Sequence, residues 1–201
     1  IGSEKVGGIV LWSNDFSTAT DWTINNSGQT GNAFGWRIGT GAENSWYFNS
    51  SVNSVSGGAY AELNNGVPSP APGTQALNVT YTMTTSSPID ITNATLNTNN
   101  TDQVSLRYMQ YGARFNDAQE VYISTNGTTW TLVDDNSDKP VLSVNGGAPY
   151  TNPTTELINI APYIAGNATS VWIRFSWTTA FPSQATNANV WVTYGWFIDD
   201  L

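Results

Sequence analysis

The chain has 201 residues, enough for one all-β domain with a full core. Six basic against fifteen acidic residues give a net charge of −9, which argues against nucleic acid and anionic membranes, since either needs a basic face, and is compatible with cation binding. With no His and no Cys there is no Ser-His-Asp or Cys-His nucleophile, no zinc site of the usual kind and no disulfide.

No apolar run approaches the roughly 20 residues of a membrane-spanning helix. Asn, Thr, Ser and Gly fill positions where Lys and Glu are common, and few segments could sustain any helix. Ile9-Val10-Leu11-Trp12 is expected to be a short strand, followed by Ser13-Asn14-Asp15-Phe16 and a turn-rich stretch. Asp21 to Ile24, Phe34 to Ile38, Ser45 to Phe48 and Ala59 to Leu63 read as strands bounded by turn residues. Val67 to Gly73 holds three prolines and is expected to be an extended loop. Leu77 to Thr85 puts Val79, Tyr81 and Met83 on one side, and Pro88-Ile89-Asp90-Ile91 starts another element. After the Asn- and Thr-rich run from Thr92 to Thr101, Val104 to Tyr111 alternates again. Glu120 to Ser124 and Thr129 to Val133 flank Asn126-Gly127, a hairpin signal. Asp134 to Pro140 is an acidic loop, and Glu156 to Ile160 is a strand leading into one helical turn at Ala161 to Ile164. About a dozen short strands with no convincing helix make an all-β sandwich.

The last thirty or so residues organise the chain. Val171, Ile173, Phe175 and Trp177 share one strand face, and Tyr194 to Leu201 is a second aromatic-rich strand. The two are expected at the centre of the core. Asp199 and Asp200 point to opposite faces of that closing strand, so one of them faces inward. A buried carboxylate must meet a cation, an Arg or several N–H donors, and Arg174 is a candidate partner.

Several pieces fall into one order: Leu11-Trp12-Ser13-Asn14-Asp15-Phe16, Gly35-Trp36, Ser87-Pro88-Ile89-Asp90-Ile91 and Val121 to Trp130. Ile158 to Gly166, Val171-Trp172-Ile173-Arg174-Phe175 and Trp196-Phe197-Ile198-Asp199-Asp200-Leu201 complete it. The chain thereby resembles the MAM-like jelly-roll modules of secreted bacterial surface proteins, including cleaved-adhesin and choice-of-anchor modules. The resemblance implies a two-sheet antiparallel jelly-roll β-sandwich outside the cell, acting as an adhesin or accessory module. It also implies a structural calcium where the first strand meets the last, at Asp15, Asp199 and Asp200. Ser17 stands where the family usually has an acidic residue, which weakens that site. The missing start Met and the end at Leu201 lead us to expect residues 1–201 to be one module of a longer protein.

Two other motifs have bland readings. Asp134-Asp135-Asn136-Ser137-Asp138 has the D-x-N-x-D opening of calcium loops, but Lys139 replaces the expected Gly, so a solvated loop is expected. Ser124 to Trp130 falls one residue short of a sialidase Asp-box and occurs once, so it is expected to be a hairpin whose Trp130 covers the core edge. Aromatic faces stack on pyranose rings, which brings in Trp12, Trp22, Trp36, Trp46, Tyr47 and Trp191, with Trp46, Tyr47 and Trp191 the candidate ligand-binding positions. Glu43, Glu62, Glu120 and Glu156 are scattered and form no clustered acid motif of a glycosidase. The expected function is a non-catalytic extracellular adhesin-type or surface-filament module, with a carbohydrate-binding module of a secreted hydrolase as the alternative. Expected partners are a glycan or cell-surface ligand, or further copies in a surface assembly, with no nucleic acid and no membrane insertion.

Overall fold

A computed structural model describes residues 8–31, 34–41, 51–66, 79–94, 104–114, 117–142, 148–164, 168–179 and 195–201. The chain folds into the expected two antiparallel sheets of a jelly-roll sandwich. One sheet orders β1 (Trp22–Asn25), β4 (Thr80–Thr85), β10 (Ser170–Thr179), β7 (Asp117–Ser124) and β8 (Thr131–Asp134), with the short β5 (Ile89–Asp90) also paired to β10. The other orders β2 (Phe34–Gly39), β3 (Tyr60–Asn65), β11 (Trp196–Asp199), β6 (Ser105–Gly112) and β9 (Thr154–Asn159). Ala161–Tyr163 forms the helical turn the sequence indicates, and Ala19–Asp21 forms a second one ahead of β1.

Each of the two closing strands is the middle of its own sheet. Period-two alternation buries Val171, Ile173, Phe175 and Trp177 of β10 against Trp196 and Ile198 of β11. Phe175 meets Trp196 edge-on at 5.9 Å and Tyr108 at 5.2 Å, so the sheets are joined by interlocked rings. Tyr81 and Met83 of β4, Val121 and Ile123 of β7, and Trp36 of β2 complete this core.

The N-terminal stretch departs from expectation. Ile9 and Val10 are 70% and 82% exposed and belong to no strand. Only Asn14 pairs with the chain's end, its N–H donating to the Leu201 carbonyl at 3.1 Å and its carbonyl accepting from Leu201 at 3.0 Å. The ladder stops there because the Asn14 side chain turns inward. Its Oδ1 accepts the Phe16 N–H at 3.0 Å and Trp22 Nε1 at 2.9 Å, and Phe16 sits at φ 58°. A local turn has replaced a strand.

The outer face of the five-stranded sheet is covered as well. Val52, Tyr60, Tyr111, Ala113, Leu142 and Phe197 form a second cluster, with Tyr60 and Tyr111 rings at 6.0 and 5.8 Å from Phe197. The segment 51–56 lies over this face. Asn152 pins one end, accepting the Asn53 N–H at 2.8 Å and donating to the Ser51 carbonyl at 2.9 Å. The two closing carboxylates pin the other.

Candidate functional site

Asp199 is fully buried, but not in the core between the sheets. It shares a face with Phe197, opposite Trp196 and Ile198, and lies beneath the 51–56 segment. Its Oδ2 accepts the Ser56 hydroxyl at 3.0 Å, its Oδ1 accepts the Asp200 N–H at 2.8 Å, and Ser54 also donates to it. Burial is the main cause that pushes its pKa up, against these hydrogen bonds. Asp200, at φ 51°, accepts the Val55 and Ser56 N–H groups at 2.5 and 3.2 Å. Asp15 is exposed and caps its own turn, accepting the Ser17 N–H at 3.0 Å.

The expected partner of the buried carboxylate is elsewhere. Arg174 belongs to the other sheet, where β10 runs between β4 and β7, so it cannot reach Asp199. Hydroxyl and backbone donors do the work assigned to it. Among the described residues no group of three or more Asp, Glu, His or Cys side chains is placed to hold a metal ion. A cation at this junction would draw most of its oxygens from backbone carbonyls beside Asp15, Asp199 and Asp200.

The 134–140 loop is not fully solvated. Asn136, at φ 53°, turns inward and is buried. Its amide donates to Gln110 and Gln119, both at 3.1 Å, and Gln110 Nε2 returns a bond at 2.9 Å. Trp196 Nε1 donates to Gln110 Oε1 at 2.7 Å, and the Tyr150 hydroxyl donates to Gln119 Oε1 at 2.6 Å. Lys139, standing where a calcium loop has Gly, bonds Glu156 and Asp138 at 2.9 Å each. A lysine thus brings its own cation, and the loop plugs one end of the sandwich. Neither glutamate of the two ion pairs is free: Glu62 is buried and paired to Arg37 at 2.6 Å, and Glu156 serves Lys139 and Gln110.

The outer face of the six-stranded sheet differs from all of this. Alternation turns Thr80, Thr82 and Thr84 of β4, Trp172, Arg174 and Thr178 of β10, and Glu120 and Tyr122 of β7 outward, and most are only partly buried. Arg174 sits between Thr84 and Tyr122 in the register and donates from Nε to Thr84 Oγ1 at 3.0 Å. Trp130 reaches across from the loop before β8, with its ring centroid 3.7 Å from the guanidinium carbon. Trp130 therefore lies on the outer face over Arg174, rather than closing the core edge. The Tyr122 hydroxyl donates to Glu120 Oε2 at 2.9 Å, and burial with this bond pushes its pKa up to about 12. Trp172 lies over Gly127 in the six-residue connection of the β7–β8 hairpin, whose turn is held by Ser124 and Asn126 side chains rather than by a two-residue reversal.

Aromatic rings, one cation, one carboxylate and short hydroxyl side chains thus share an accessible sheet face. Of the tryptophans considered for stacking, Trp22 and Trp36 are core, and Trp12 is half-buried against Trp22. Trp46, Tyr47 and Trp191 lie outside the described residues. The outward setting of Trp172 and Arg174 is legible from their alternation with Val171 and Ile173. Trp130 carries no such signal, because only the hairpin's fold brings it to the patch.

No family model and no curated protein matches the chain. Among solved structures the chain is similar to the K1 cleaved adhesin domain of Lys-gingipain from Porphyromonas gingivalis W83, with a TM-score of 0.53 and 13% identity over 94% of each chain. TmCBM61 in complex with β-1,4-galactotriose follows at a TM-score of 0.42 and 12% identity, over 92% of this chain and 87% of that one. A non-crystalline cellulose specific carbohydrate-binding module, CBM28, gives 0.35 and 14%, over 82% and 85%. The last two scores are too low to carry an argument. The first shows a shared fold at an identity that speaks to fold alone, and it agrees with the cleaved-adhesin resemblance in the sequence.

Proposed function

We propose that the chain is a non-catalytic, extracellular adhesin-type module that attaches to glycans through the outer face of its six-stranded sheet. The observation that carries this is the cluster of Trp130, Trp172 and Tyr122 around Arg174 on a face otherwise paved with Thr. Aromatic faces stack on the C–H faces of pyranose rings, while Thr hydroxyls, Glu120 and Arg174 offer acceptors and donors for sugar hydroxyls. Such a surface binds one sugar weakly, and repetition of the module in a surface protein would supply avidity. The shared fold with a cleaved adhesin domain supports the adhesin side of this reading.

A glycan array tests it. Saturable binding to a sugar class, lost in Trp130→Ala and Trp172→Ala with the thermal midpoint of Trp172→Ala little changed, is the expected result. Retention of binding in both variants would move the site off this face, and binding to no glycan would sink the reading in favour of a spacer or assembly subunit.

Calcium where the Asn14 turn meets the residues after β11 is a second, separate element of the proposal. The observation favouring it is a fully buried Asp199 with no Lys or Arg paired to it among the described residues, next to the Asn14–Leu201 pairing. Asp15, Asp199 and Asp200 are not gathered into one ligand set, so the ion would take one or two of these carboxylates and complete its shell with backbone carbonyls, in a structural role.

A further inference from the structure

We propose that Arg174 reads a carboxylate, so that the glycan taken by this face bears an acidic sugar, a uronic or a sialic acid. The inference rests on the glycan-binding reading above. Arg174 differs from the other cations the structure describes. Arg37 is paired with Glu62, Lys139 with Glu156 and Asp138, and Arg114 donates to the carbonyls of Asn136 and Lys139. Arg107 is exposed on the opposite sheet. Arg174, in a chain with fifteen acidic residues, has no carboxylate partner among the described residues. Glu120, the nearest acidic residue on the adjoining strand, stands opposite Ser176 and holds the Tyr122 hydroxyl instead.

The guanidinium is also fixed in orientation. Its Nε is held by Thr84 Oγ1 at 3.0 Å and its carbon lies 3.7 Å from the Trp130 centroid, which sets the plane. The two Nη groups have no protein partner among the described residues, and they are not buried. That end of the fork matches the two oxygens of a carboxylate, which gains a charge-assisted bidentate contact where a neutral sugar would find one ordinary hydrogen bond. The aromatic bodies of Trp130, Trp172 and Tyr122 would seat the ring that carries the acid. A single cation on this face, in a protein of net charge −9, does not suit a dense polyanion. It suits one acid group on a sparsely charged glycan.

The test uses the whole chain on an array of uronate- and sialate-bearing oligosaccharides, each printed beside its carboxyl-reduced counterpart. We expect binding to at least one acidic form, weakened about tenfold or more on carboxyl reduction. Arg174→Gln should lose that factor on the acidic form and clearly less on the reduced form, so that the variant no longer separates the two, and Arg174→Lys should restore only part of the difference. The uronate and sialate arms tell which acid is read. Equal binding to acidic and reduced forms would overturn the inference and leave the glycan-binding reading standing. No binding to either form would overturn both.

Discussion

Gly35 has no room for a side chain. A Cβ there would lie 2.1 Å from the Asn26 side chain, and φ is +76°. That side chain works as a short strand, accepting the Trp36 N–H at 2.9 Å and donating to the Trp36 carbonyl at 3.0 Å. The glycine of the Gly35-Trp36 pair therefore lets the chain reach Asn26 and sets Trp36 into the core. Gly35→Ala should cost about 2 kcal/mol or more, read as a lower urea midpoint at unchanged slope. At Asp199 the carboxylate gathers Ser54, Ser56 and the Asp200 N–H under the 51–56 segment. Asp199→Ala should cost about 1–3 kcal/mol by stranding these donors, while Ser56→Ala, which removes one of them, should cost less. Equal losses in the two variants would mean the carboxylate is not the anchor of that segment.

At the scale of an element, the 134–140 loop is held by what it buries. Asn136 satisfies Gln110 and Gln119, which in turn hold the indole of Trp196 and the hydroxyl of Tyr150. Asn136→Ala should destabilise by about 2–3 kcal/mol, because it leaves amides unpaired and puts Ala at positive φ. A loss under half a kcal/mol would show that the loop is the solvated one its acidic sequence implies. The same loop sets a pH dependence. Asp134 faces Glu156, the Tyr108 hydroxyl at 3.4 Å and Lys139, and burial, then Glu156, raises its pKa above the ordinary 3.8. A raised carboxyl pKa means the native state binds the proton more tightly. Its contribution is thus fully present below 3.8 and is lost as pH rises through the raised folded value. Asp134→Asn should gain on the parent as pH climbs from 4 towards 7 in chemical denaturation. A constant difference across that range would exclude Asp134 as the titrating group.

At the scale of the whole molecule, Asn14 and Leu201 exchange backbone hydrogen bonds and so bring together segments far apart in sequence. A calcium ion there would stabilise the fold by RT ln(1 + [L]/Kd), about 2.7 kcal/mol at a hundredfold excess over Kd. A thermal melt should then fall by several degrees on chelation, and Asp200→Ala should abolish the difference. A melt indifferent to calcium would leave the closing carboxylates to their hydroxyl and N–H donors alone. The sandwich itself was legible beforehand: alternation in Val171 to Trp177, Tyr81 to Met83 and Leu106 to Tyr108 is local, and period two decides which side chains face the core. What alternation cannot say is what covers a strand's other face. Asp199 was readable as a carboxylate needing partners, yet only the return of residues 51–56 over the sheet decided that Ser54, Ser56 and Asp200 would supply them. Trp130 was readable as an aromatic after a turn, yet only the hairpin laid it on Arg174. The sequence by itself determined the sheets and their core, because hydrophobic periodicity is written along the chain. The tertiary structure alone decided the site, because contacts between residues dozens of positions apart depend on how the connections fold back.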